Sequence, residues 1–162
     1  GARLAVDGGS AGGFAALCAL CFHETFDAGI SFFGVADLAA LAEETHEFES
    51  RYLDGLVGPY PDAAATYRDR SPVNHADGIS VPVLLLQGEE DRVVPPEQSR
   101  SMLEALPEDV LRAYIEFEGE GHGFREGTSI RRAVEAELAF LGRVFGFDPD
   151  DDLSPLELST GE

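Results

Sequence analysis

Ser10 stands in the run Gly8-Gly9-Ser10-Ala11-Gly12-Gly13, between a short apolar run at residues 4–6 and an Ala/Leu/Cys-rich run at residues 14–22. The first run reads as a strand and the second as a buried helix, so Gly8-x-Ser10-x-Gly12 falls on a strand–turn–helix junction. That context distinguishes a nucleophile turn from a chance Gly/Ser cluster. A serine on such a turn is held in a strained conformation that lifts its Oγ above the sheet, and the residues two before and two after are expected to be tiny. The following helix points its first amides back at the turn, so the Ala11 N–H is expected to serve as an oxyanion-hole donor. Phosphate binding is the alternative for a Gly-rich turn, but the run lacks the lysine of a P-loop and does not fit G-x-G-x-x-G.

A serine nucleophile needs a base, and the base needs an orienting acid. The clearest strand, residues 81–87, runs into Gly88-Glu89-Glu90-Asp91-Arg92-Val93-Val94-Pro95. A further strand at residues 113–117 runs into Glu118-Gly119-Glu120-Gly121-His122-Gly123-Phe124. In parallel α/β sheets, functional residues gather beyond the carboxyl ends of the strands. That rule brings Ser10, Asp91 and His122 to one sheet edge, as nucleophile, orienting acid and base. Glu89 and Glu90 are rival acids; Asp91 is preferred because its short side chain holds an imidazole tightly. The other histidines, His23, His46 and His75, form no ligand pattern, so no metal or other cofactor is expected. Cys18 and Cys21 have redox-motif spacing but lie inside the apolar helix, where buried structural thiols are expected.

The elements that must position these residues alternate. A second strand is expected at residues 28–33, helical spacing at 37–56, a turn-rich stretch around Gly58-Pro59-Tyr60-Pro61 and Ser71-Pro72, a helix from Pro96 to about residue 106, and an amphipathic helix over 130–145. That last helix carries Ile130, Val134, Leu138, Leu141 and Phe145 on one side. Alternating strands and helices imply a mostly parallel α/β sheet flanked by helices. Residues 1–147 are expected to form the domain, and the acidic stretch 148–162 a solvated, flexible tail. The first strand lacks polar alternation, as an interior parallel strand does, so further strands are expected ahead of it.

The chain has 162 residues, with 31 acids against 11 bases and a net charge of −20. So negative a surface repels phosphate backbones and anionic membranes, and no nucleic-acid or membrane partner is expected. Every basic residue is arginine, which fits a GC-rich genome, a salt-rich cytoplasm, or both. Two cysteines build no disulfide framework, so a reducing cytoplasm is expected.

Taken together, the motifs resemble the catalytic domain of the prolyl oligopeptidase (S9) family of serine peptidases, an α/β-hydrolase. Gly-Gly-Ser10-Ala-Gly-Gly resembles the family's nucleophile segment. The stretch Pro82 to Pro95 resembles its aspartate loop, Gly121-His122-Gly-Phe its histidine loop, and Glu49-Ser-Arg-Tyr52-Leu a segment after the second strand. The resemblance implies peptide hydrolysis through Ser10, Asp91 and His122, and a side-chain pocket lined by Val35 and Leu38, for which core packing is the alternative. It also implies four strands ahead of Ser10, an upstream tyrosine donating the second oxyanion hydrogen bond, and commonly an N-terminal β-propeller. The chain is therefore expected to be the C-terminal part of such a domain, needing the missing segment, with a peptide or small ester as substrate. A carboxylesterase or dienelactone-hydrolase-like enzyme shares the triad, and an inactive truncated module stands as a third reading.

Overall fold

The computed structural model describes residues 3–44, 50–150 and 152–161; His46 and Glu49 lie outside them. Strands β1 (Ala5–Gly9), β2 (Ala28–Phe32), β3 (Val83–Gly88) and β4 (Arg112–Phe117) form one sheet in the order β1-β2-β3-β4, and every pairing is parallel. Helices α1 (Ala11–Phe22), α2 (Leu38–Glu44), α3 (Ser50–Leu56), α4 (Ala64–Arg70), α5 (Pro96–Ala105) and α6 (Gly127–Phe145) connect and cover it. Parallel neighbours need crossover connections, and these send every strand the same way. Because every pairing is parallel, all four carboxyl ends lie along one edge.

β3 explains why the sheet holds. It lies between β2 and β4, and its sequence Val-Leu-Leu-Leu-Gln-Gly is buried at every position, the continuous apolar pattern of a strand covered on both faces. On one face, Leu17 and Leu20 of α1 and Met102 of α5 pack with Val83 and Leu85. On the other, Ala133, Ala136 and Phe140 of α6 pack with Ile30, Leu84 and Leu86. A side chain at Gly29 would stand 2.2 Å from Leu20 Cδ1, so the absence of a Cβ there lets α1 lie directly on β2. The buried Arg112 guanidinium donates to the carbonyl oxygens of Leu103, at 3.0 Å, and Leu106, closing the end of α5.

Three expectations need correction. The turn-rich stretch contains α4 and a 3-10 segment, Pro72–Gly78, that packs against α1. On α6 the sheet-facing residues are Ala133, Ala136 and Phe140, while Ile130 and Val134 are 46% and 59% exposed. Small alanines let the helix approach the sheet closely enough for Phe140 to enter the core, which turns the larger residues of the first turns outward.

Residues 152–161 are mostly exposed, yet they are tied to the domain at several points. Ser159 and Arg112 exchange backbone hydrogen bonds of 2.8 and 3.0 Å in an antiparallel bridge at the start of β4, and the Gly161 N–H donates to Glu108 O at 2.7 Å. Leu156 and Leu158 pack against the α6–β4 core, and Arg132 of α6 donates to the Ser154 and Pro155 carbonyls. Two leucines at strand spacing and the open edge of β4 outweigh the flanking acids.

At the opposite side, β1 pairs with β2 alone among the described residues, and Leu4 just ahead of it is 44% exposed. No helix of the described residues is long and apolar enough to cross a membrane.

Cys18 and Cys21 are unpaired on α1. Burial pushes the Cys18 thiol up to about 11, and burial with the neighbouring Cys18 and Asp77 pushes Cys21 up to about 12. Reactivity follows the thiolate. Iodoacetamide at pH 8 is therefore expected to modify both cysteines at least about tenfold more slowly in the native protein than in urea, read by intact mass. Replacing Leu156 and Leu158 by alanine is expected to cost about 1 kcal/mol each, less than the ~2–5 of fully buried leucines, measured by urea unfolding.

Candidate active site

The turn after β1 is built around Ser10. Its φ of 56° and ψ of −120° put a non-glycine residue in positive-φ backbone, a strain of about 1–3 kcal/mol that surrounding contacts must offset. The Ser10 N–H donates to Phe32 O at 2.9 Å, and Ser10 O accepts the Phe14 N–H at 3.0 Å as the first helical hydrogen bond of α1. The turn is thereby tied both to the neighbouring strand and to the helix. A Cβ at Gly8 would lie 2.3 Å from Gly12 O, and one at Gly13 would lie 2.7 Å from Gly34 Cα. A Cβ at Gly12 would meet nothing within 4 Å. The steric demand therefore falls on Gly8 and Gly13, and the expectation for Gly12 is corrected: its Cβ direction faces open space. Ala11 opens α1, so its N–H is among the first-turn amides that have no acceptor within the helix.

Asp91 follows β3 in a tight turn whose side chain is fully buried. Its Oδ1 accepts the N–H groups of Val93 and Val94, each at 2.9 Å. Its Oδ2 lies 2.8 Å from His122 Nδ1, and His122 Nε2 lies 2.8 Å from Ser10 Oγ. With Nδ1 donating to the Asp91 carboxylate, which accepts through Oδ2, the Nε2 lone pair is left to accept from the Ser10 hydroxyl. Glu89 and Glu90, the rival acids, are exposed on the same loop. The structure thus brings together Ser10, Asp91 and His122 from the ends of β1, β3 and β4. A serine hydroxyl hydrogen-bonded to an oriented imidazole, beside free helix N-terminal amides, has the parts for acyl transfer.

Three supporting side chains escaped the sequence reading. Phe33, at a φ of 41° just beyond β2, places its ring 4.9 Å from the His122 ring, edge to face, and 5.5 Å from Phe124. Gln87 is wholly buried; its Nε2 donates to Val94 O at 3.1 Å and Gly88 O at 3.2 Å, with Asp91 Oδ2 at 3.4 Å, while its Oε1 accepts from the Ser99 hydroxyl at 2.8 Å. Glu120, two residues before His122, is buried. Its side chain accepts hydrogen bonds from the start of α6. A polar residue ending a buried apolar strand was the available signal for Gln87.

Val35 and Leu38 follow β2 and pack beside the aspartate loop, with Val94, and against Phe14 of α1. They are 9% and 5% exposed, in an apolar cluster with Leu41, Leu53, Tyr67 and Val94. Two surface cavities, of about 640 and 340 Å³, are lined by α6 and the chain that follows it, without Val35, Leu38 or any of the three residues at the sheet edge. His23 is exposed, and His75 is half-buried with its ring 4.9 Å from Phe22.

A sequence model of the prolyl oligopeptidase family matches residues 1–148. The chain belongs to that family. Its four parallel strands and flanking helices are a portion of the α/β-hydrolase fold. A puromycin-hydrolyzing peptidase of Mycobacterium tuberculosis is 49% identical, with a TM-score of 0.92 over 98% of this chain and 24% of that one. The dipeptidyl aminopeptidase BIII of Pseudoxanthomonas mexicana is 28% identical over 89% of this chain and 22% of its own length. Esterase LipQ of Mycobacterium tuberculosis is 30% identical over 88% of this chain and 38% of its own. The chain therefore spans less than two fifths of each of these relatives.

The glycine geometry separates two substitutions. Gly8→Ala is expected to lower stability by on the order of 3 kcal/mol, since backbone stands where the methyl would go. Gly12→Ala, facing open space on a helix, is expected to be neutral or stabilising by up to about 1 kcal/mol. Thermal melts of the two variants check the contrast.

Proposed function

We propose that this chain carries the catalytic centre of a serine peptidase, with Ser10 as nucleophile, His122 as general base and acid, and Asp91 as the group that orients and stabilises the imidazolium. The observation that carries the reading is the pair of 2.8 Å contacts from Ser10 Oγ through His122 to an Asp91 carboxylate whose other oxygen is already occupied by two amides. Ser10 Oγ forms a bond to the scissile carbonyl carbon as its proton passes to His122 Nε2. The oxyanion is held by the Ala11 N–H, and by a second donor that the family resemblance places on a tyrosine upstream of these residues. Collapse of the adduct breaks the C–N bond, and His122 returns its proton to the leaving amine. Water then attacks the acyl carbon, giving a proton to His122, which returns it to Ser10 Oγ as the acyl C–O bond breaks and the carboxylic acid product leaves.

The substrates proposed are peptides with an amine leaving group, as the names of the puromycin-hydrolyzing and dipeptidyl aminopeptidase relatives suggest. The similarity to esterase LipQ favours a second reading, ester hydrolysis by the same three residues. In either case the outer edge of β1, unpaired among the described residues and preceded by the exposed Leu4, supports a further segment of the same protein pairing there to complete the sheet. Two unpaired thiols support a cytoplasmic setting.

The intact protein is expected to take one fluorophosphonate adduct on Ser10, seen by intact mass and peptide mapping, and Ser10→Ala to take none. Asp91→Asn is expected to lower kcat by about 10⁴, because the wrong tautomer then faces the serine. Comparing kcat/KM on a peptide amide and the matching ester distinguishes peptidase from esterase. Absence of the adduct in the intact protein would defeat the reading.

A further inference from the structure

Glu120 is a buried carboxylate, 2% exposed, for which the proposed reaction has no use. Its Oε2 accepts the Arg125 N–H at 2.8 Å and its Oε1 accepts the Glu126 N–H at 2.9 Å, just ahead of α6. Burial works to raise its pKa, but these two amides, the Ser129 hydroxyl and the Arg125 charge outweigh that and hold the carboxyl below its ordinary range. The backbone of the same residue is also engaged. Its N–H donates to Phe117 O at 3.3 Å, and its carbonyl accepts the N–H of Glu90, the neighbour of Asp91, at 2.8 Å. The two loops touch here with no room to spare: a Cβ on Gly88 would stand 2.4 Å from Gly121 O and 2.6 Å from Glu120 O.

Elsewhere in this stretch the contacts are the Gly119 N–H donating to Glu89 Oε2 at 3.4 Å, a bridge between Gly121 and Gly123, and those of His122 itself with Asp91, Ser10 and Phe33. Residues 119–123 read Gly-Glu-Gly-His-Gly, with positive φ at Gly119 and Gly123. So glycine-rich a segment loses much backbone entropy on ordering, and an anchored side chain within it sets where its neighbours lie. We infer that Glu120 is a positioning residue for the reaction: by tying the histidine loop to the start of α6 while its carbonyl holds the aspartate loop, it sets the register in which His122 meets both Asp91 and Ser10. The inference rests on the reading of His122 as general base.

The test uses the intact protein as wild type, Glu120→Ala, Glu120→Gln and Ser10→Ala. It reads the rate constant for fluorophosphonate labelling, kcat and KM on a p-nitrophenyl ester, and the melting temperature, with rates expressed per folded molecule. Glu120→Ala is expected to lower both the labelling rate and kcat about 10–100-fold while KM stays within about twofold, since misplacement of about 1 Å costs on that order. Glu120→Gln keeps the volume and one accepting oxygen, so an intermediate loss of at least about fivefold is expected. Should Glu120→Ala fail to fold, Glu120→Gln decides the matter. Wild-type rates per folded molecule in the variants, with only a lower melting temperature, would overturn the inference and leave the reading of the site standing. No labelling of the wild type would overturn that reading, and this inference with it.

Discussion

The buried Asp91 carboxylate is the group around which the edge of the sheet is arranged. An ionised carboxylate removed from water is costly unless its lone pairs are occupied, and here two amides of its own turn hold one oxygen while His122 meets the other. A short side chain in an Asx-type turn can do this without reaching across space, so the acid is rigid before the imidazole arrives. The imidazole is then confined by the carboxylate on one side, the Phe33 ring on another and the Ser10 hydroxyl ahead of it.

That arrangement depends on the parallel sheet. Ser10, Asp91 and His122 are far apart in sequence, and each sits just beyond the carboxyl end of a different strand. Parallel register along the sheet puts these ends side by side, and β2, lying between β1 and β3, contributes Phe33 to the same edge. Close backbone approaches at Gly8–Gly12 and at Gly88–Gly121 set the spacing, and those approaches exist because neither Gly8 nor Gly88 carries a Cβ. Strain at Ser10 is borne by its hydrogen bonds to Phe32 and Phe14, so chemistry and scaffold are coupled at a single residue.

The two flanks of the sheet are managed differently. At β4 the chain following α6 comes back, and Ser159 pairs with Arg112 while two leucines cover the core. At β1 the described chain leaves the outer edge without a partner strand. Thus β1, which leads to Ser10, is paired on one side only among the described residues, whereas β3, which leads to Asp91, is paired on both sides, and β4, which leads to His122, carries the Ser159 bridge on its outer edge.

Much of this was legible in the residues themselves. A strand–turn–helix serine, an aspartate after an apolar strand and a histidine among glycines are local patterns, and sequence position relative to a strand end is enough to gather them at one edge. The alternation that announced a parallel α/β sheet is likewise local. What the sequence could not decide was everything set by packing between distant elements. Composition marked residues 148–162 as a flexible tail, but the outer edge of β4 holds Ser159 by backbone hydrogen bonds while most of residues 152–161 stay exposed. Periodicity marked Ile130 and Val134 as a buried stripe, but the small Ala133 and Ala136 made the closer contact with the sheet. Glu120 looked like one more surface acid in a chain that has 31 acids; only the folded arrangement, which brings the start of α6 over the histidine loop, surrounds its carboxylate with donors and buries it. Local propensity and motif chemistry act over a few residues and can be read there, while burial is a property of surfaces that meet only once the chain has folded.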